Sequence, residues 1–328
     1  MNIKVTNKEN RYLFGKENDP YYTEMIETLS LLKPHLNNNQ TKCLLNDLQF
    51  SGEKFDEAKY LQAACETSIA SYISSKFNEN FSYEPKINPP KDVDCSFSSK
   101  GKEFYIEVKC PDFSNKIEID NKNAFKIGSF GRMSNFEEIF DTMQGIFNPE
   151  NNPAAEADKP LIKQQHMDNK LKDFLLSAHS KFKHTTTTDE LNILAICCAD
   201  RMDMQKWFHY MYGPQGLFKE DSFHPYSEYK NVDVVLLSNL HHRHHQYWTK
   251  DKIKKSWDFS KSFNLIFSNP LRRDDKAEII WSLVENIPNH SKELMNYRGA
   301  HGLDELRIPH FVIEMLLNKG LYYFQPDI

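Results

Sequence analysis

The segment from Lys91 to Pro111, KDVDCSFSSKGKEFYIEVKCP, constrains this chain more than any other. Two short runs of strand-forming residues, Val93–Phe97 and Phe104–Cys110, flank turn material at Ser98–Lys102. Side chains alternate faces along a strand, so Asp92, Asp94 and Ser96 share one face and Val93, Cys95 and Phe97 the other. In the second run Tyr105, Glu107 and Lys109 lie opposite Ile106 and Val108. A two-residue turn at Lys100-Gly101, with Gly at a positive φ, makes Ser99 face Lys102. The same register sets Asp94 directly across from Glu107, roughly 5 Å apart at Cβ.

Like charges that close are unfavourable unless a cation offsets them. A hard divalent ion does so well: Mg²⁺ takes one or two carboxylates and completes its shell with water and phosphate oxygens. Lys109 brings an ammonium to the same face, where it could activate water or stabilise charge building on a phosphate. Asp92 shares the face and is a rival to Asp94.

Upstream, apolar positions at helical spacing predict helices over Tyr22–Leu36 and Phe55–Phe77. The second is interrupted by an acid, Glu66. Glu57, in its first turn, is a weaker rival because an acid there complements the helix dipole. Strands are expected at Phe81–Ile87, Asn115–Asp120, Leu191–Cys198, Val232–Ser238 and Phe263–Phe267. Helices are expected at Asn135–Phe147, from Pro160 to Phe182, at Met202–Tyr212 and from Asp274 to Lys319, with an exposed loop at 148–160. This order predicts an α/β fold, a mixed sheet flanked by helices with helical additions at both ends. The divisions read as 1–50, a helical region; 51–270, the core; and 271–328, a helical region packed on that core.

Asp94, twelve residues, then Glu107-Val108-Lys109 on an apolar strand resembles the signature of the PD-(D/E)xK nuclease superfamily. The resemblance covers about residues 55 to 240 and implies a restriction-endonuclease-like sheet. It implies that Asp94 and Glu107 bind Mg²⁺ or Mn²⁺, that Glu66 completes the acidic cluster, and that Lys109 helps activate water. It also implies supporting roles for Lys163 and Gln164 at the start of the expected helix 160–182. The activity implied is phosphodiester hydrolysis, with DNA favoured over RNA, in a defence or restriction setting. A catalytically inactive nucleic-acid-binding or protein-interaction module on the same fold is the alternative. A homodimer or a partner protein stays open.

Two further stretches invite a function. His241-His242-Arg243-His244-His245 could bind a transition metal, although a polar loop explains it more simply. From His241 to Lys261, Arg243, Lys250, Lys252, Lys254, Lys255 and Lys261 oppose only Asp251 and Asp258, with Tyr247, Trp248, Trp257 and Phe259 interleaved. Charge for phosphates beside π faces for bases is what a nucleic-acid groove needs. Core aromatics under a snorkelling surface fit equally well. Lys170, Lys172, Lys181 and Lys183 are also candidates for phosphate contact, beside Asp168 and Asp173.

Other classes are disfavoured. Neither a phosphate-binding glycine loop nor a G-x-S-x-G turn occurs. No stretch approaches the roughly 18 apolar residues of a membrane span. The polar start and six cysteines without metal-ligand spacing lead us to expect free thiols and a cytoplasmic location. A net charge of −5 decides nothing, because nucleic-acid binding depends on the charge of one face.

Overall fold

A computed structural model describes residues 4–129, 131–147, 159–184, 187–199, 201–248, 253–272 and 275–290. Within them the chain opens with α1 (Pro20–Leu32), α2 (Asn38–Asp47) and α3 (Glu57–Lys76). The starts are set by side chains. The Asp19 carboxylate accepts from the Tyr21 amide ahead of Pro20, Asn37 and Gln40 form a reciprocal capping box, and Asp56 accepts from the Lys59 amide.

Three strands follow: β1 (Phe81–Tyr83), β2 (Cys95–Ser99) and β3 (Lys102–Lys109). Then come α4 (Ser114–Asp120), β4 (Phe125–Ile127), α5 (Phe136–Phe147), β5 (Leu161–Lys163) and α6 (Asp168–Lys181). The chain continues through β6 (Glu190–Cys197), α7 (Arg201–Tyr212), β7 (Val234–Ser238), α8 (Leu240–His245), β8 (Asn264–Ser268) and α9 (Ala277–Asn286). The architecture is mixed α/β. One six-stranded sheet has the order β1-β2-β3-β6-β7-β8, and β4 with β5 forms a separate parallel pair. The centre, β3-β6-β7, is parallel, whereas both flanks pair antiparallel.

Alternation along β6 builds an apolar layer on each face. Ile193, Ala195 and Cys197 join Phe104, Ile106 and Val108 of β3 in one cluster, which α1, α3 and α9 cover. Leu194, Ile196 and Cys198 turn the other way, toward Leu171 and Leu175 of α6 and Trp207 and Met211 of α7. Each such aliphatic side chain contributes about 1.5–3 kcal/mol when fully buried. Tyr12, Tyr21, Met25 and Leu29 from the first 50 residues, and Ile279 and Leu283 from α9, belong to the first cluster.

Several expected elements differ, and the strand expected at Phe81–Ile87 is confined to Phe81–Tyr83. The segment Asn115–Asp120 is helical, not extended, and begins where the Asp112 carboxylate accepts from the Ser114 amide and hydroxyl. The expected helix over 160–182 is split. Pro160 precedes a short strand, its carbonyl accepting from the Phe125 amide, and α6 starts only at Asp168. Most of the expected loop at 148–160 and of the expected helices to Lys319 lies outside the described residues. No described helix is long and apolar enough to cross a membrane. All six cysteines are free thiols.

Candidate active site

The β2–β3 hairpin turns at Lys100 and Gly101, with φ of 52° and 78°. Both residues are left-handed, as a type I′ turn demands. The register runs from Ser99 opposite Lys102 to Cys95 opposite Ile106. One step further along this pairing sets Asp94 across from Glu107. β2 has ended at that point, and the Asp94 side chain turns to its neighbour strand: Oδ2 accepts from the Val108 amide at 2.5 Å.

Glu107 has no exposed surface. It faces α6, and two ammonium groups meet its Oε1: Lys109 Nζ at 2.6 Å and Lys181 Nζ at 2.7 Å. Lys181 also donates to Oε2 at 2.9 Å. Taking a carboxylate out of water costs several kcal/mol, so such a group needs close counter-charges to stay ionised.

Glu66 comes from α3. One turn before it, Gln62 donates from Nε2 to the Val108 carbonyl at 3.1 Å and to the Glu66 carboxylate, and its Oε1 accepts from the Cys110 amide. Gln62 therefore ties the helix to the end of β3 and holds Glu66 beside it. Glu66 and Asp94 are half-buried and feel each other's charge. Burial first, then the charge of Glu107, raise the Glu66 carboxyl to about 7 against the pull of Gln62 and Lys109. Burial, then Glu66 and Glu107, push the Asp94 carboxyl well above the ordinary carboxylate range, with Lys181 and the Val108 amide opposing. On Lys181 burial acts downward, but Asp94 and Glu107 more than offset it and the ammonium is held more tightly than usual.

Glu66, Asp94, Glu107 and Lys109 thus meet in one electrostatic neighbourhood. Among the described residues, no group of three or more His, Cys, Asp and Glu side chains is arranged to hold a metal ion. The rival Glu57 is engaged elsewhere, with Arg11 and the Tyr12 hydroxyl.

Other expected residues lie apart. Lys163 closes β5 and pairs with Glu137, while Gln164 accepts from Lys206, so both belong to a different cavity, not to a helix start beside the carboxylates. Arg243 is 2% exposed, and its guanidinium donates to the carbonyls of Lys254 and Lys255, which removes it from any nucleic-acid surface. Lys254 and Lys255 are exposed. Lys250 and Lys252 lie outside the described residues. Tyr247, Trp257 and Phe259 are core aromatics and offer no free ring faces.

The histidine run lies in α8 rather than a loop, with His241 to His244 buried and His245 partly exposed. His244 contacts the Tyr21 hydroxyl at 2.9 Å and the Ser68 hydroxyl at 3.1 Å, and burial pulls it down to about 3. His242 meets the Ala199 carbonyl at 3.1 Å. Both are core histidines, His244 bonded at each ring nitrogen and His242 at Nδ1.

Two participants escaped the sequence reading. Gln62 carried a signal, since i and i+4 on a helix are neighbours of Glu66. Lys181 was legible only as one of several lysines, because which of them turns toward the sheet depends on how α6 packs. No family model, curated protein or solved structure matches the chain.

Proposed function

We propose that the chain is a divalent-metal-dependent nuclease of the PD-(D/E)xK type, with a restriction-endonuclease-like core. The hairpin register supports this most: the ladder ends at Cys95 opposite Ile106, Asp94 and Glu107 are the next residues on the two arms, and Lys109 contacts Glu107. DNA as substrate and a defence setting follow by analogy with the superfamily, since fold alone does not fix substrate.

On this reading Mg²⁺ or Mn²⁺ would be held by Asp94 and Glu107, although among the described residues no group of three or more His, Cys, Asp and Glu side chains is arranged to hold an ion. Asp94 and Glu107 supply two hard carboxylates, the number Mg²⁺ takes beside water and phosphate oxygens. Burial first, then the neighbouring acids, raise the proton affinity of Asp94 and Glu66 although Lys109 and Lys181 stand nearby. When bound, the ion would polarise the scissile phosphate and make a coordinated water more acidic. The chain's own groups do the rest. Glu66, titrating near neutrality, is suited to accept a proton from water. Lys109 supplies a cation for the developing phosphate charge. Lys181 pairs with both oxygens of Glu107, and Gln62 fixes the Glu66 carboxylate.

The test is cleavage of labelled DNA and RNA by the purified chain with Mg²⁺, Mn²⁺ or chelator. Asp94→Ala and Lys109→Ala are each expected to lose about 100-fold or more in rate while keeping the far-ultraviolet spectrum. Unchanged cleavage in both would reject this active site. One observation favours a second reading, an inactive binding module: two lysines already neutralise Glu107. That reading expects nucleic-acid binding without metal-dependent cleavage.

A further inference from the structure

A cavity of about 430 Å³ opens between the β4–β5 pair, the start of α6 and the flank of α7. The carboxylate site lies at the other end of α6, thirteen steps away, or roughly 20 Å at ~1.5 Å per residue. The two are separate places on one helix.

The lining is polar and carries three cations, Arg132, Lys163 and Lys206, against two carboxylates, Glu137 and Asp168. Both carboxylates are committed. Glu137 pairs with Lys163. Asp168 receives Arg132 Nε and lies 2.9 Å from His166 Nδ1. Although burial acts upward, these two partners hold its carboxyl down at about 2. The Arg132 guanidinium also reaches Asn169 Oδ1 at 3.3 Å and lies over the Phe223 ring, 3.4 Å from its centre. These contacts fix it in place in the cavity wall.

Amides complete the wall. Gln164 accepts from Lys206 at 3.3 Å, and Gly128 closes on it so tightly that a Cβ there would stand 2.7 Å from Gln164 Oε1. Gln165 Oε1 and His166 Nε2 are buried with no hydrogen-bond partner among the described residues.

We propose that this cavity binds a nucleotide unit, with the phosphate on Arg132, Lys163 and Lys206 and the base edge on the carboxamides of Gln164 and Gln165. Arginine forks match phosphate oxygens, and carboxamides offer the donor and acceptor pair that a base edge requires. The volume lies within the range of small-ligand sites, roughly 300–1,000 Å³. The place is suitable as well, because α7, which carries Lys206, leaves the carboxyl end of the parallel strand β6, the side on which open α/β sheets hold ligands. The unit is either a free nucleotide or the terminal nucleotide of a strand. The inference goes beyond the nuclease reading and does not need it.

Isothermal titration of the full chain without divalent metal tests it, using inorganic phosphate, the four nucleoside 5′-monophosphates and a 5′-phosphorylated tetranucleotide. At least one mononucleotide should bind about tenfold or more tightly than phosphate. A Lys163→Glu, Lys206→Glu variant that melts like the parent should weaken that binding by about tenfold or more, and Gln164→Ala should weaken the nucleotide but not phosphate. Equal affinity for mononucleotide and tetranucleotide assigns a free nucleotide, and a tighter tetranucleotide assigns a strand end. Phosphate binding as tightly as every nucleotide, binding that survives these substitutions, or no binding at all would overturn the proposal. Asp94→Ala should bind nucleotide normally, so failure of the carboxylate site and failure of this cavity are told apart.

Discussion

Lys181, in the last turn of α6, contacts both carboxylate oxygens of Glu107, at 2.7 Å and 2.9 Å, across the face of the sheet. Each group answers a charge that burial would otherwise make costly. Lys181→Met keeps the stem and removes the ammonium, and should cost about 1.5–3 kcal/mol in urea unfolding without metal. If an ion shares the Glu107 site, Mg²⁺ should restore part of that loss. A loss of equal size with and without Mg²⁺ would place the ion elsewhere.

The Glu66 carboxyl rises from the ordinary 4.5 to about 7 on folding. A raised carboxyl binds more protons folded than unfolded between those values, so its stabilising contribution is complete below about 4.5 and fades as pH climbs through 7. Metal requires the ionised form, and its affinity should move the opposite way, strengthening from pH 6 to 8. Titrations in buffers of different ionisation enthalpy should show proton release on Mg²⁺ binding at pH 6.5. A pH-independent affinity would exclude Glu66 and Asp94 from the ion's surroundings.

Gln62 lowers the proton affinity of Glu66 by donating to it. In Gln62→Leu the acidic limb of any pH–rate profile should therefore shift to higher pH, and kcat should fall by about tenfold with KM little changed. A purely structural Gln62 would lower stability and leave the profile where it was.

Outside the site, Asp233 pairs with two cations. Its carboxylate accepts from the Asn192 amide at 2.7 Å, lies 3.1 Å from Lys276 Nζ and pairs with Arg272, all in the interior. Asp233→Ala strands two buried cations and should lower stability by about 3–5 kcal/mol. Denaturant unfolding checks it, and cleavage by the folded fraction should be unaltered.

The hairpin and its charges were readable because a strand has a fixed period and a two-residue turn admits one register. Glu66 was readable as an acid breaking an apolar helix face. The fate of Arg243 and the histidines was not, since a run of basic residues reads as surface until packing supplies partners. His244 has Tyr21, more than 200 positions earlier, and no local pattern announces that contact. Lys163 and Gln164 were misplaced for a similar reason: Pro160 suits a first helical turn, but the partner strand Phe125–Ile127 drew the residues after it into a ladder instead.

Only two residues join β2 to β3, so the approach of Asp94, one residue before β2, to Glu107 on β3 is governed by backbone pairing and not by a long loop. Surface segments can lengthen, shorten or change sequence without altering that approach. A slip of one residue in that pairing would turn one acid to the far side of the sheet, and with it the apolar side chains that its strand gives to the core.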